Sequence, residues 1–393
     1  MLVKNGKVIS PFRERKCDVR IKDSLIVGVN PIIESEGDQI VDAEGCYVIP
    51  GLIDLHTHGA GGGSFINAEK KDFETAGRMH LTHGVTTLLP TASAALDETL
   101  INFIDGFDDF LKSNKAKGEY TQDLNLPYFP GLHLEGPYFA DSQKGAQDER
   151  FIRKPIMAEY KRYVERHNNV SRISFAPELE GAMDLADYLR EQGVISAVAH
   201  SDATMEDILE SLEHGVELLT HFYSGMSMLV RKNAYRVPGI VEAGYLRDEL
   251  MAEVISDGSH LPPQVLQLIY KILGPTRMCI ISDSLHVAGL DISEYEENGR
   301  KFRVEDHVAK LYDRSAFAGS VTLGNDLIKV MVNSTNANLM EAVEMMSVNP
   351  AKILKMDDKL GRIATGYYAD LVLLDNNLDV VKVIHRGKVV YTK

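Results

Sequence analysis

The sequence predicts a (β/α)8 barrel, with a small β domain assembled from the two chain ends. Three observations carry this expectation. Short apolar runs alternate with amphipathic helical segments through the middle of the chain, the pattern of a parallel sheet. Eight such units in roughly 230 residues match the usual size of the barrel. Both ends read instead as short strands and turns, each too short to form a core alone. A doubly wound open sheet is the alternative, but no GxGxxG or P-loop pattern follows any of the runs.

Taken in order, Met1 to Ile9 contains Asn5-Gly6, a strong hairpin signal, and Asp18 to Val29 and Ile40 to Val48 are rich in β-formers. The eight runs are Val48 to Leu55, Val85 to Pro90, Tyr128 to Leu134, Arg172 to Pro177, Val194 to Ala199, Leu218 to Thr220, Met251 to Ser256 and Met278 to Ile281. Helical periodicity lies between them, over Glu69 to His83, Leu96 to Leu111, Glu159 to His167, Met183 to Gln192, Met205 to Glu213 and Pro263 to Leu273. Ala369 to Leu374 and Val380 to Tyr391 return to strand character around Asn376 and Asn377. The expected division is a β-sandwich domain of residues 1–49 and 365–393 and a barrel of residues 50–364.

Composition narrows the function. Lys and Arg total 42 against 57 Asp and Glu, a formal charge of −15, which argues against nucleic-acid or anionic-membrane partners. Cys17, Cys46 and Cys279 are too few and too widely spaced for a disulfide framework or a CxxC metal cluster. The N-terminal stretch has no long apolar segment, so a cytoplasmic location is expected.

What ends the eight runs points to chemistry. The first ends in His56-Thr57-His58, the third in His133-Leu134-Glu135, the fifth in His200, the sixth in His221, the seventh near Asp257 and His260, and the eighth in Asp283. The C-terminal strand ends of a barrel form the floor of its active site. Period-two alternation sends His56 and His58 to the same face. Taken singly, a strand-end histidine, His133 especially, is more often a hydrogen-bonded structural residue. As a set, His56, His58, Glu135, His200 and His221 suit a divalent metal, zinc first, with iron, manganese, cobalt or nickel as alternatives. His80, His83 and His214 fall near helix C-termini and carry no assigned chemistry. Asp283 reads as a general base and acid, against a turn-capping role within Ser282-Asp283-Ser284.

The segments Pro50-Gly51-Leu52-Ile53-Asp54-Leu55-His56-Thr57-His58-Gly59, His133-Leu134-Glu135-Gly136-Pro137, Ala199-His200-Ser201-Asp202, Thr220-His221 and Ser282-Asp283 resemble the amidohydrolase superfamily. Within it they resemble the N-acetylglucosamine-6-phosphate deacetylases, and the tail from Gly361 to Val372 fits the same pattern. The resemblance implies that Glu135, His200 and His221 hold the principal metal, with His56 and His58 helping to bind a second. It also implies Asp283 as the catalytic acid and base, a sugar-contacting His260, and a phosphate-binding Arg236 before Val237-Pro238-Gly239. A homodimer, with loops near the partner's active site, is implied as well. Two positions depart from the family. Gln147 follows Lys144-Gly145-Ala146 where a substrate-contacting His is usual, and Ser224-Gly225 stand where Asn-Ala is usual. Gly225 can still offer a backbone N–H and Ser224 a hydroxyl. The expected reaction is hydrolysis of an N-acetyl amino-sugar phosphate. The rivals are another N-acyl sugar or cyclic amide as substrate, or a barrel acting only as a scaffold.

Overall fold

The computed structural model describes residues 1–11, 13–114, 123, 125–297 and 299–393. Eight parallel strands, Leu52–Thr57, Val85–Ala92, Leu132–Glu135, Val170–Phe175, Ile195–Val198, Leu218–Leu219, Met251–Ile255 and Met278–Ile281, pair side by side in chain order. The circle closes just beyond the eighth strand, where Asp283 N donates to His56 O at 2.9 Å and His58 N to Ser284 O at 2.8 Å. The strands are buried on both faces, which is why they read as continuous apolar runs.

A helix follows each strand, Lys70–Thr82, Asp97–Ser113, Met157–Glu165, Ala182–Gln192, Met205–Glu213, Ile240–Leu246, Pro263–Leu273 and Gly324–Ser334, and two more, Leu339–Met345 and Val348–Ile353, follow the last of these. Their sequences explain their limits. Ala182, Leu185, Ala186 and Leu189 form one buried stripe, and that helix stops at Gly193, whose φ of +71° few other residues accept. Thr204 and Asp207 form a capping box at the start of Met205–Glu213.

The termini meet in a second sheet. Leu2–Ser10, Arg13–Lys22, Leu25–Asn30, Ile40–Asp42 and Tyr47–Pro50 join Leu371–Leu374, Val380–His385 and Lys388–Thr392. All eight strands are joined by hydrogen bonds into one sheet that folds over on itself. Its outer strand Leu25–Asn30 curls back to the chain before Leu371, with Ile26 N donating to Tyr367 O at 2.9 Å. Val3, Val8, Val19, Ile26, Val48, Leu371 and Ile384 fill the space enclosed.

Two local expectations are corrected, and one element is new. The single run Val48 to Leu55 serves both sheets: Tyr47–Pro50 belongs to the terminal sheet and Leu52–Thr57 to the barrel. The break is at Gly51, where a Cβ would lie 2.0 Å from Thr86 Oγ1. Asn5-Gly6 is a bulge inside a strand, not a hairpin turn. Asn5 takes φ of +66°, and the chain reverses instead between Ser10 and Arg13. Finally, between the eighth barrel strand and its helix lies an unanticipated antiparallel sheet of Glu294–Glu297, Arg300–Glu305, Val308–Leu311 and Phe317–Ser320. Several of its residues line the barrel mouth.

Candidate metal and catalytic site

Glu135 ends the third strand at the centre of the site. Its Oε1 lies 2.9 Å from His221 Nε2, 3.2 Å from His200 Nε2 and 3.6 Å from His56 Nε2. Its Oε2 faces His58 Nε2 at 3.4 Å. Asp283 Oδ1 approaches the same two first-strand histidines, at 3.4 Å from His56 Nε2 and 3.1 Å from His58 Nε2. Two triads, His56–His58–Asp283 and Glu135–His200–His221, each hold their ligand atoms within 4.8 Å of one another.

The histidines are oriented from behind. His200 Nδ1 pairs with Gln143 O at 2.9 Å, His221 Nδ1 with Ser224 O at 3.1 Å, and His58 Nδ1 with Ser93 Oγ at 3.2 Å. A backbone acceptor at Nδ1 selects the tautomer whose Nε2 lone pair faces a metal. Burial opposes charge on Glu135 and Asp283, yet the surrounding imidazoles hold both carboxyls below their usual range. Burial likewise opposes charge on His58, but its hydrogen bonds to Asp283 and Glu135 push its pKa up to about 10, so a cation bound between these groups would displace that proton from Nε2. Four inward Nε2 atoms around two buried carboxylates form a donor set that fits one or two divalent ions. His133 stands apart from it. Thr91 Oγ1 at 3.2 Å and Ser174 Oγ at 2.7 Å engage both its nitrogens, and burial keeps its pKa well below normal.

The site opens into a cavity of about 720 Å³. His260 lines it, and Asp257 Oδ2 takes its Nδ1 at 2.7 Å, leaving Nε2 for another partner. Gln147 also lines it, but its amide is engaged: Nε2 donates to Glu135 Oε2 at 3.0 Å, and Oε1 accepts from Ala94 N at 3.1 Å. Ser224 and Gly225 border the cavity beside the metal ligands. Gly225 has φ of +58°, and a Cβ there would sit 2.8 Å from His200 Nδ1, so the close approach of this loop to His200 requires glycine. Arg236 lies elsewhere. It is exposed on a hairpin formed by Val230–Lys232 and Tyr235–Val237, outside the cavity lining of its own chain.

Sequence reasoning missed the inserted sheet and the groups it brings to the cavity, Glu297, Arg300 and Phe317, together with His286 just before it. The alternation Lys301-Phe302-Arg303-Val304-Glu305 was the available signal. The turn that follows it, Asp306-His307, has both residues at positive φ.

A barrel whose strand ends gather four imidazoles and two carboxylates under one cavity belongs to the class built to hold catalytic divalent metals. Residues 47–390 match the model of the amidohydrolase family, and the chain belongs to that family. Among its relatives, the N-acetylglucosamine-6-phosphate deacetylase of Lysinibacillus sphaericus is 29% identical over 391 residues, covering 99% of this chain and 97% of that one. The N-acetylgalactosamine-6-phosphate deacetylase of Escherichia coli O157:H7 is 29% identical over 371 residues, covering 94% and 93%. A point mutant of the Mycobacterium smegmatis N-acetyl-D-glucosamine-6-phosphate deacetylase, solved in complex with N-acetyl-D-glucosamine-6-phosphate, superposes with a TM-score of 0.90. It is 27% identical, with 100% of this chain and 99% of that one covered.

Proposed function

We propose that the protein hydrolyses the acetamide of N-acetylglucosamine 6-phosphate, releasing acetate and glucosamine 6-phosphate. The observation that carries this reading is Asp283, a carboxylate held at the cavity floor against His56 and His58 and across from Glu135. Glu135, His200 and His221 would hold one metal, and His56 and His58 would help to hold a second. Zinc is the first expectation for this ligand set. Such an ion polarises a carbonyl and acidifies a water. Asp283, kept ionised by its imidazole neighbours, takes the proton of the attacking water as the new C–O bond forms. It then returns that proton to the sugar nitrogen as the C–N bond breaks. His260, its Nδ1 fixed by Asp257, can donate from Nε2 to the substrate.

The same cavity suits N-acetylgalactosamine 6-phosphate, and a relative with that activity shares the same 29% identity. Acetate release from a panel of N-acetyl hexosamines, with and without 6-phosphate, tests the reading. Deacetylation of the glucosamine derivative at the highest kcat/KM is expected, and release from none of the panel would refute it.

The reading extends to a cytoplasmic homodimer, with units of residues 1–49 plus 365–393 and 50–364. Met228, Leu229, Val230 and Tyr235 expose apolar side chains around Arg236. That patch supports a dimer contact through which Arg236 would meet the phosphate in a neighbouring protomer's site. Among the described residues no helix is long and apolar enough to cross a membrane.

A further inference from the structure

Among the described residues, two guanidiniums line the cavity, Arg150 and Arg300. Arg150 is committed to Asp148, its Nε lying 2.9 and 3.0 Å from the two carboxylate oxygens. Arg300 is half-buried, and Nη1 donates to the backbone carbonyl of Ala146 at 2.9 Å. Among the described residues no carboxylate lies within ion-pair distance of it. Glu297, its register partner on the neighbouring strand, turns to His286 Nδ1 at 3.7 Å instead. The Arg300 guanidinium lies over the Phe302 ring at 5.6 Å and in the field of Asp148 and Asp313, but outside ion-pair distance of either. Arg300 therefore brings a positive charge, and N–H donors beyond the one held by Ala146, to a cavity wall.

Its position gives that charge a purpose. Ala146 adjoins Gln147, whose amide touches Glu135, so Arg300 is tied to the loop that reaches the metal ligands. Arg300 also sits in the segment after the eighth barrel strand, and the loops after strands seven and eight are where barrels frequently bind phosphate. In a chain of net charge −15, an anionic substrate needs a local cation, and a guanidinium fork matches phosphate oxygens two at a time. We propose that Arg300 is the cavity's own phosphate ligand. On this proposal, which rests on the phosphorylated-sugar reading above, it grips the substrate phosphate from within the same chain and sets the preference for phosphorylated over free sugar.

The test compares wild type with Arg300→Gln, both loaded with metal. Acetate release is measured from N-acetylglucosamine 6-phosphate and from N-acetylglucosamine, and inorganic phosphate binding is followed by calorimetry. For the phosphorylated sugar, kcat/KM should fall about 10- to 150-fold further than for the free sugar, the loss carried mainly by KM. Phosphate binding, seen in wild type, should weaken in parallel. Equal losses on both sugars would make Arg300 a tether for the Ala146 loop and overturn the proposal, as would unchanged phosphate binding in the variant. If wild type deacetylates neither sugar, the function reading fails by itself. The phosphate titration then still decides whether Arg300 is an anion ligand.

Discussion

His200, His221 and Asp283 share a backbone feature, with φ of +45°, +34° and +47°. Non-glycine residues seldom occupy this left-handed region, and they persist there only where the surroundings hold them. Each sits just past a barrel strand, where the chain must turn sharply while its side chain points back at Glu135 or the first-strand histidines. Glycine would make the turn but could supply no ligand. Asp283→Asn keeps shape and acceptor but cannot accept and return a proton, so it should retain metal while turnover falls at least ~100-fold. Elemental analysis alongside acetate-release assays checks both halves of that expectation. His80 makes a different prediction. Burial, aided by the nearby His83, lowers its pKa to about 3, and its Nε2 lies 2.9 Å from Thr57 Oγ1. A buried neutral imidazole binds fewer protons than the same residue unfolded. Its stabilisation is therefore complete above about pH 6.5 and is lost as pH falls toward its folded pKa. His80→Gln should flatten the decline in melting temperature between about pH 6.5 and 4 in matched thermal scans.

At the scale of elements, Gly51 shows how one stretch of sequence serves two sheets. Its N–H donates to Asp370 O at 2.8 Å, fixing the terminal sheet to the start of the barrel. The backbone there passes so close to Thr86 that no side chain fits. Gly51→Ala should destabilise the protein by about 1–3 kcal/mol, as overpacking does, and denaturant unfolding would measure it. The barrel interior is an element of its own. Arg172 and Glu253 form a fully buried ion pair, with Nη2 donating to Glu253 Oε2 at 2.7 Å and to Thr220 Oγ1 at 2.7 Å. These side chains tie the fourth, sixth and seventh strands together beneath the metal ligands. Apolar patterning alone assigns them no such place, because paired charges can occupy a core that isolated ones cannot.

Across the whole molecule, the site depends on closure. Glu135, His200, His221, the His56–His58 pair and Asp283 come from five strands, and they converge only when the eighth strand's end meets the first. A metal bound there joins elements distant in sequence, so its removal should destabilise the whole fold. With chelator, melting temperature should fall by several degrees, since a ligand present at 100 times its dissociation constant adds about 2.7 kcal/mol. Restoring metal should recover it, and an unchanged melting temperature would show that the fold does not depend on the ion.

The sequence by itself determined the barrel and its ligand set. Strands buried on both faces read as apolar runs, helices repeat every 3.6 residues, and metal ligands must be imidazoles and carboxylates at strand ends. Tertiary structure alone decided what surrounds them. The strands of residues 294–320 carry no long apolar run, because their buried residues, among them Phe302, Val308 and Ala309, are interspersed with charged ones. Only the fold shows that the Gln147 amide, while lining the cavity, also bonds Glu135, and that Arg236 stands on an exposed hairpin outside the cavity of its own chain. Periodicity reports which face of an element is buried. Which distant side chain it meets depends on how the barrel closes and where the inserted sheet lies over its mouth, and those are contacts between segments far apart in the chain.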